Sequence, residues 1–283
     1  MNSVNKSIAV RVPASSANIG PGFDVLGMAL SLHLEAGFGN SPADAVDATE
    51  HHPVVVAFKH CGGTGSLWVR SQMPMGKGMG FSGAARVAGV LLAHAQKFGT
   101  DEAMLSKARS ELLAVATKLE GHPDNAAASL LGGIVASVGG CAVRIPTPLD
   151  PAIIIWVPQA QTSTRESRTK LPTTVLFADA VFNVGHTALL VAALAAGDIP
   201  ALLIATQDRL HQDTRLKKVP QSRAVMHDAV SAGAWCAWLS GSGPTIATMC
   251  DPADAQHVAD ALPDNGSTMV LRIAGQGAQL LAI

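Results

Sequence analysis

The chain has 283 residues, 48% of them hydrophobic and 14% charged, with 20 Lys and Arg against 21 Asp and Glu for a formal net charge of −1. That balance offers no basic field for nucleic acid, the length suits two modest domains or one large one, and no run of 18 apolar residues marks a membrane span. Residues 1–6 are too polar for a secretory signal, so a soluble, cytoplasmic protein without nucleic-acid or membrane partners is expected. Cys61, Cys141, Cys236 and Cys250 are widely spaced, form no CxxC pair, and read as reduced core thiols.

Strand-like runs stand at residues 10–12, 33–36, 54–58 and 67–70. Between the first two lies PASSANIGPGFD at 13–24, dense in Gly, Pro, Ser and Asn, which ends in the lone carboxylate of Asp24 and reads as a structured binding loop. PMGKGMGFSGAA at 74–85 is a glycine-rich turn running into an apolar helix over about 82–98, with Ala85, Ala88, Val90, Leu91 and Leu92 as its apolar positions. Glycines at 76, 78 and 80 let backbone amides approach an anion, and the open first turn and positive dipole end of the helix face the same loop. The loop is neither a Walker sequence nor, beyond the spacing of residues 78–83, a dinucleotide fingerprint.

A second helix is expected over about 102–119, followed by EGHPDNAAASLLGG at 120–133 and a hairpin around Gly139 and Gly140. The proline-rich stretch 146–151 is the best boundary, dividing residues 1–150 from 151–283. Beyond it are expected a buried strand at 152–157, helices over about 173–196 and 199–208, and strands around 235–239 and 245–250. The part from 179 to 196 is apolar on most faces and is expected to be a buried core helix. LSGSGPT at 239–245 has small residues wherever something must come close. Strands and helices without strict alternation indicate an α+β fold.

In order and wording these strings resemble the GHMP kinases, and within them the branch that phosphorylates homoserine. The resemblance covers nearly the whole chain: PxSSANxGPGFD, PxGKGxGxSGAA, EGHPDNAAASLLGG, the stretch from Val157 and Pro158 through STRESR at 163–168 to Leu171 and Pro172, DRLHQ at 208–212, and LSGSGPT. The phosphate loop marks only the superfamily; EGHPDN, SANxGPGFD and DRLHQ are more specific. The resemblance implies an N-terminal domain like the second domain of ribosomal protein S5, a C-terminal ferredoxin-like domain, and an active site between them. It also implies ATP-dependent phosphorylation of L-homoserine to O-phospho-L-homoserine on the route to threonine, with Mg2+ as cofactor and a homodimer as the usual assembly.

Phosphoryl transfer asks mainly for positioning and charge neutralisation. Pro74, Gly76, Lys77, Gly78, Met79, Gly80, Phe81, Ser82, Gly83 and Ala84 form the expected ATP loop, with amides supplied by Gly78, Gly80, Phe81 and Ser82. The Ser82 hydroxyl and Glu120 carboxylate are the natural magnesium ligands. Ser82 reads equally as a helix N-cap, and Glu120 as a solvated helix end, where a nearby cation would offset the unfavourable dipole. Lys77 is either a phosphate contact or a solvent-facing lysine.

Asn18, Asp24, His122 and Asn125 match family positions that hold homoserine, with Asp24 as partner of its ammonium. Arg215 matches a carboxylate-binding arginine, its alternative being a surface arginine beside Lys217 and Lys218. Asn125, Asp24 and Asp124 are the candidate catalytic residues, Asp124 either as general base or as a helix cap. Two departures stand out: Phe81 replaces a usual serine, and His186 stands where an arginine would grip the carboxylate. They leave open a kinase for another small hydroxylated acid, or a binding protein that has lost turnover.

Overall fold

A computed structural model describes residues 7–159 and 171–282. The STRESR string at 163–168 lies outside the described residues. The first sheet has seven strands: β1 (Ile8–Ala17), β2 (Leu26–Phe38), β3 (Val46–Asp47), β4 (Trp68–Ser71), β5 (Ile134–Val138), β6 (Cys141–Ile145) and β11 (Gln279–Ala282). Their order is β11-β1-β2-β4-β3, with β5 pairing both β2 and β6, and every ladder is antiparallel. Four helices pack with it: α1 (Pro53–His60), α2 (Phe81–Phe98), α3 (Glu102–Glu120) and α4 (Asp124–Leu131).

The second sheet, also antiparallel, runs β10-β7-β9-β8, from β7 (Ala152–Pro158), β8 (Cys236–Leu239), β9 (Ile246–Cys250) and β10 (Gly266–Arg272). Strand β7 is buried throughout, and its side chains alternate between two cores. Ile153, Ile155 and Val157 join one cluster with Val12, Leu91 and Trp238, which draws on both sheets. Ala152, Ile154 and Trp156 face the other way, against Val225, Ala229 and Val258, which lie on α8 (Pro220–Ser231) and α9 (Ala255–Asp260). The other α-helices among the described residues are α5 (Phe177–Ala196), α6 (Ile199–Ala205) and α7 (Gln212–Leu216).

The α+β expectation holds, and so do both expected helices of the first half and the hairpin. Two local readings do not. Residues 54–58 are helix, not strand: the valine run favours a strand, but His52 caps the Val54 N–H through Nδ1 (3.2 Å) and Pro53 stands at the first helical position. Helix α5 is not a buried core helix, because it meets the fold along one stripe, Asn183, Leu190, Ala193 and Leu194, while Phe177 is 85% and Val184 71% exposed. Among the described residues α5 is the one helix long and apolar enough to cross a membrane, yet Asn183 and Thr187 on it hydrogen-bond Pro21 O. Strand β11, which follows the expected boundary at residue 150, pairs with β1 of the first sheet.

All four cysteines are free, but only Cys236 and Cys250 are core thiols, Cys61 being half-buried and Cys141 exposed; burial pushes the thiol of Cys236 up to about 12 and that of Cys250 to about 11, which disfavours the thiolate. Because β7 belongs to both cores, Ile155→Ala is expected to cost about 2–5 kcal/mol. Urea unfolding followed by tryptophan fluorescence and by circular dichroism should give coincident transitions; two separated transitions would show that the sheets unfold independently.

Candidate active site

The phosphate loop has three glycines in the left-handed region, Gly76, Gly78 and Gly80, and at two of them a side chain would collide with its surroundings. Gly80 (φ 68°) caps α2, and a Cβ there would lie 1.9 Å from Ser15 Oγ; at Gly78 (φ 81°) it would lie 2.3 Å from Ser240 O. The first amide to bond back into α2 is Ala84's, to Gly80 O (2.9 Å), so the amides of the opening turn point out of the helix end. Gly78, Gly80, Phe81 and Ser82 all line the cleft at this end, with Pro74, Gly76 and Met79. The Phe81 ring meets His52 edge-on at 5.6 Å.

A chain of hydroxyls closes the loop from above. Trp238 Nε1–H donates to Ser16 Oγ (2.9 Å), Ser16 shares a bond with Ser240 Oγ (2.8 Å), and Ser240 donates to Gly78 O (2.7 Å). Beside it Ser15 donates to Asn125 Oδ1 (2.8 Å), and Gly241 N–H to Ala17 O (3.1 Å). Ser15, Ser16, Trp238 and Ser240 are fully buried. The loop that follows Ser16 holds Asn18, Ile19 and Asp24 at φ of 73°, 45° and 57°. Such backbone costs about 1–3 kcal/mol per residue and persists only where its surroundings enforce it. Asn18 supplies part of that enforcement: its Oδ1 accepts from Asp24 N–H and its amide donates to Gly241 O.

The DRLHQ string supplies the rest. Burial opposes ionisation of Asp208, but hydrogen bonds from the Asn183 amide and from the backbone N–H groups of Gln212 and His211 favour the charged form, and the carboxyl is held below its usual range. His211 Nε2–H donates to Gly20 O (2.8 Å), and its Nδ1 accepts from Arg215 Nη1 (3.1 Å), which makes it a neutral imidazole in a defined tautomer. Burial depresses its pKa in keeping with that role. Arg215 also donates to Gly241 O (3.1 Å), and Gln212 Oε1 accepts from Leu239 N–H.

One cleft therefore gathers most of the sequence-predicted residues: Asn18, Asp24, Ser82, Glu120, His122, Asp124, Asn125 and Arg215 line it with the loop. Ligand atoms of Asp24, His122 and Asp124 lie within 4.8 Å of one another. Asp124, almost wholly buried, accepts from His122 Nδ1 (2.5 Å) and from Asn125 N–H (2.7 Å) through the same oxygen. Ser82 is not the N-cap of α2; its hydroxyl donates to Glu120 Oε2 (2.9 Å). The cation that Glu120 needs at a helix C-terminus is Arg86, which pairs with Glu120 and donates to Ser82 Oγ (2.7 Å).

Four predicted residues stand elsewhere. Lys77 directs its ammonium to Pro158 O (2.7 Å) and Gln159 O (2.6 Å), tying the loop to the end of β7. His186 stacks on Phe182 at 3.6 Å and bonds Phe182 O, one turn back in its own helix. Gly83 packs against Asn125, where a Cβ would be 2.9 Å from that of Asn125, and Ala84 is core. Sequence reading missed Arg86, Ser15, Ser16, Trp238 and the Asp208–His211 network. The strings DRLHQ and SS carried a signal, while Arg86 lay one helical turn after Ser82 with nothing to announce its partner.

Two outcomes follow from the buried networks. Ser16→Ala leaves the Trp238 N–H without its acceptor and should cost about 1–3 kcal/mol; denaturation should show that loss together with a raised KM for nucleotide, and an unchanged stability would remove the hydroxyl chain from the account. His211 is a base whose folded pKa lies below its ordinary 6.5, so protonation favours the unfolded chain. Stability should fall as pH drops below about 6.5 toward the folded pKa. Thermal melts of wild type and His211→Gln between pH 8 and 5 should lose that slope in the variant.

The fold and cleft have known counterparts. The GHMP kinases N terminal domain family matches residues 50–133, and the GHMP kinases C terminal family residues 190–268. A homoserine kinase of Desulfitobacterium hafniense is 39% identical, over 91% of this chain and 92% of its own length. Another, from Carboxydothermus hydrogenoformans, is 36% identical over 84% of each chain. The crystal structure of homoserine kinase from Cytophaga hutchinsonii superposes with a TM-score of 0.83 over 99% of both chains at 25% identity. With full-length relatives at this identity and the cleft assembled from the same strings, the chain belongs to the homoserine kinases of the GHMP kinase family.

Proposed function

We propose that the protein transfers the γ-phosphoryl group of ATP to the side-chain hydroxyl of L-homoserine, giving O-phospho-L-homoserine for threonine synthesis in the cytoplasm. The observation that carries this is a single cleft that joins an amide-lined helix end to a hard oxygen pair and to an acidic and a cationic group, Asp24 and Arg215. Residues 1–150 supply the phosphate loop and most of the acceptor side, and residues 151–283 add Arg215, Gly241 and Ser242, as a homodimer, the assembly usual for the family.

Amides of Gly78, Gly80, Phe81 and Ser82 cradle the phosphates at the α2 N-terminus. The Ser82 hydroxyl and buried Glu120 carboxylate suit a magnesium ion, which supplies charge neutralisation on the phosphate oxygens. Asp24 takes the substrate ammonium, and Arg215 the α-carboxylate. With His186 turned to Phe182, the carboxylate contact rests on Arg215. Asn125, whose carbonyl is held by Ser15 and whose amide lies 3.4 Å from Asp124 Oδ1, would offer its remaining amide N–H to the reacting hydroxyl and phosphoryl oxygens. The same Asp124 oxygen already accepts from His122 and the Asn125 N–H, so Asp124 orients His122 and the start of α4. The hydroxyl oxygen then attacks phosphorus in line, the bond to the ADP oxygen breaks, and the hydroxyl proton passes to a phosphoryl oxygen.

The test is coupled ADP release with magnesium-ATP on homoserine, threonine, serine, mevalonate and shikimate. Homoserine should be preferred, and Asp24→Ala should lower kcat/KM by about 10- to 100-fold, the worth of a charged hydrogen bond at roughly 1.5–3 kcal/mol. Equal turnover of another alcohol, or indifference to Asp24→Ala, would sink the assignment.

A further inference from the structure

Arg86 contacts two residues of the cleft, Ser82 and Glu120, and has no part in the proposed chemistry. It follows Ser82 by four residues on α2, so the two side chains share a helix face. Its Nη1 donates to Ser82 Oγ (2.7 Å), its guanidinium pairs with Glu120, and Ser82 in turn donates to Glu120 Oε2 (2.9 Å). The Glu120 side chain is 8% exposed and that of Arg86 24%.

These contacts occupy the oxygens that a divalent ion would take. The Ser82 lone pair accepts from Arg86, and Glu120 already holds a full positive charge. A guanidinium and a dication cannot share one oxygen pair in a poorly solvated pocket, because each desolvates and repels the other. We propose that Arg86 is a tethered competitor of the metal: magnesium reaches Ser82 and Glu120 only by displacing the guanidinium, and Arg86 thereby sets metal affinity. Its partial exposure gives the displaced side chain a way out to water. Glu120, seated at the C-terminal end of α3, always has a cation beside it, either the arginine or the metal. The inference rests on Ser82 and Glu120 being the metal ligands.

The experiment is Mn2+ binding followed by electron paramagnetic resonance, on the full chain with a non-hydrolysable ATP analogue. Wild type is compared with Arg86→Met, Arg86→Lys and Glu120→Gln, and analogue affinity is measured separately in EDTA. Arg86→Met should bind Mn2+ about tenfold more tightly, the usual scale of coupling between two ligands, with analogue affinity in EDTA unchanged. Arg86→Lys, which keeps the charge but not the fork that spans both oxygens, should fall between and serves as the readout if Arg86→Met fails to fold. Unchanged or weaker Mn2+ binding in the Arg86 variants, with Glu120→Gln still weakening it, overturns the competition but leaves the metal ligands standing. Weaker analogue binding in EDTA assigns Arg86 to the phosphates and overturns it as well. If Glu120→Gln leaves Mn2+ binding untouched, the metal ligands themselves are wrong and the competition falls with them.

Discussion

The rest of the site hangs on a row of buried hydroxyls. From Trp238 through Ser16 and Ser240 to the Gly78 carbonyl, each donor has one acceptor, and the row links the second sheet, the end of β1, the 239–245 loop and the phosphate loop. Ser15 adds the fourth string through Asn125. Neutral groups suit this work. In a dry interior a hydroxyl chain is satisfied by its own members, whereas a charge there would need a counter-charge at considerable cost. The small residues flanking these serines are as necessary as the hydroxyls, since a side chain on Gly78 or Gly80 would fall on Ser240 O or Ser15 Oγ.

With the loops clasped in this way, backbone strain is affordable where the substrate is met. Ile19 is a β-branched residue in the left-handed region, a conformation that no isolated loop would choose. Its neighbours enforce it: Asn18 grips both Asp24 and Gly241, His211 grips Gly20, and Asn183 and Thr187 grip Pro21. The loop between β1 and β2 is thus held from α5 and from the α7 region as well as from its own sheet. Fixed geometry of this kind is what phosphoryl transfer requires of a protein, because positioning and electrostatics supply most of the catalysis.

The electrostatics of the cleft are divided by position. Asp24, His122 and Asp124 gather at one place, while Glu120 stands with Ser82 and Arg86 at another. His122 lies between the two, its Nδ1 on Asp124 and its Nε2 3.8 Å from Glu120 Oε1. A neutral His211 lets Arg215 sit beside it without repulsion while the arginine lines the cleft.

The sequence by itself determined the strings and much of their local form. Glycine at 78 and 80, the apolar period of α2, the polar density of 13–24 and the order of the four motifs depend on conformational preferences that act within a few residues. The same locality explains α1: a run of valines spoke for a strand, but the cap at His52 and the proline after it, equally local, prevailed. Only the tertiary structure decided which face of α5 finds a neighbour, that β11 returns to the first sheet, and that Lys77 and His186 turn from the cleft. It also decided that Arg86 meets Glu120, 34 positions on, and that Ser16 meets Ser240, 224 positions on. Those pairings are made by the packing of two sheets around a shared core, and a side chain's partner at such a distance exists only once that packing has brought the two segments together.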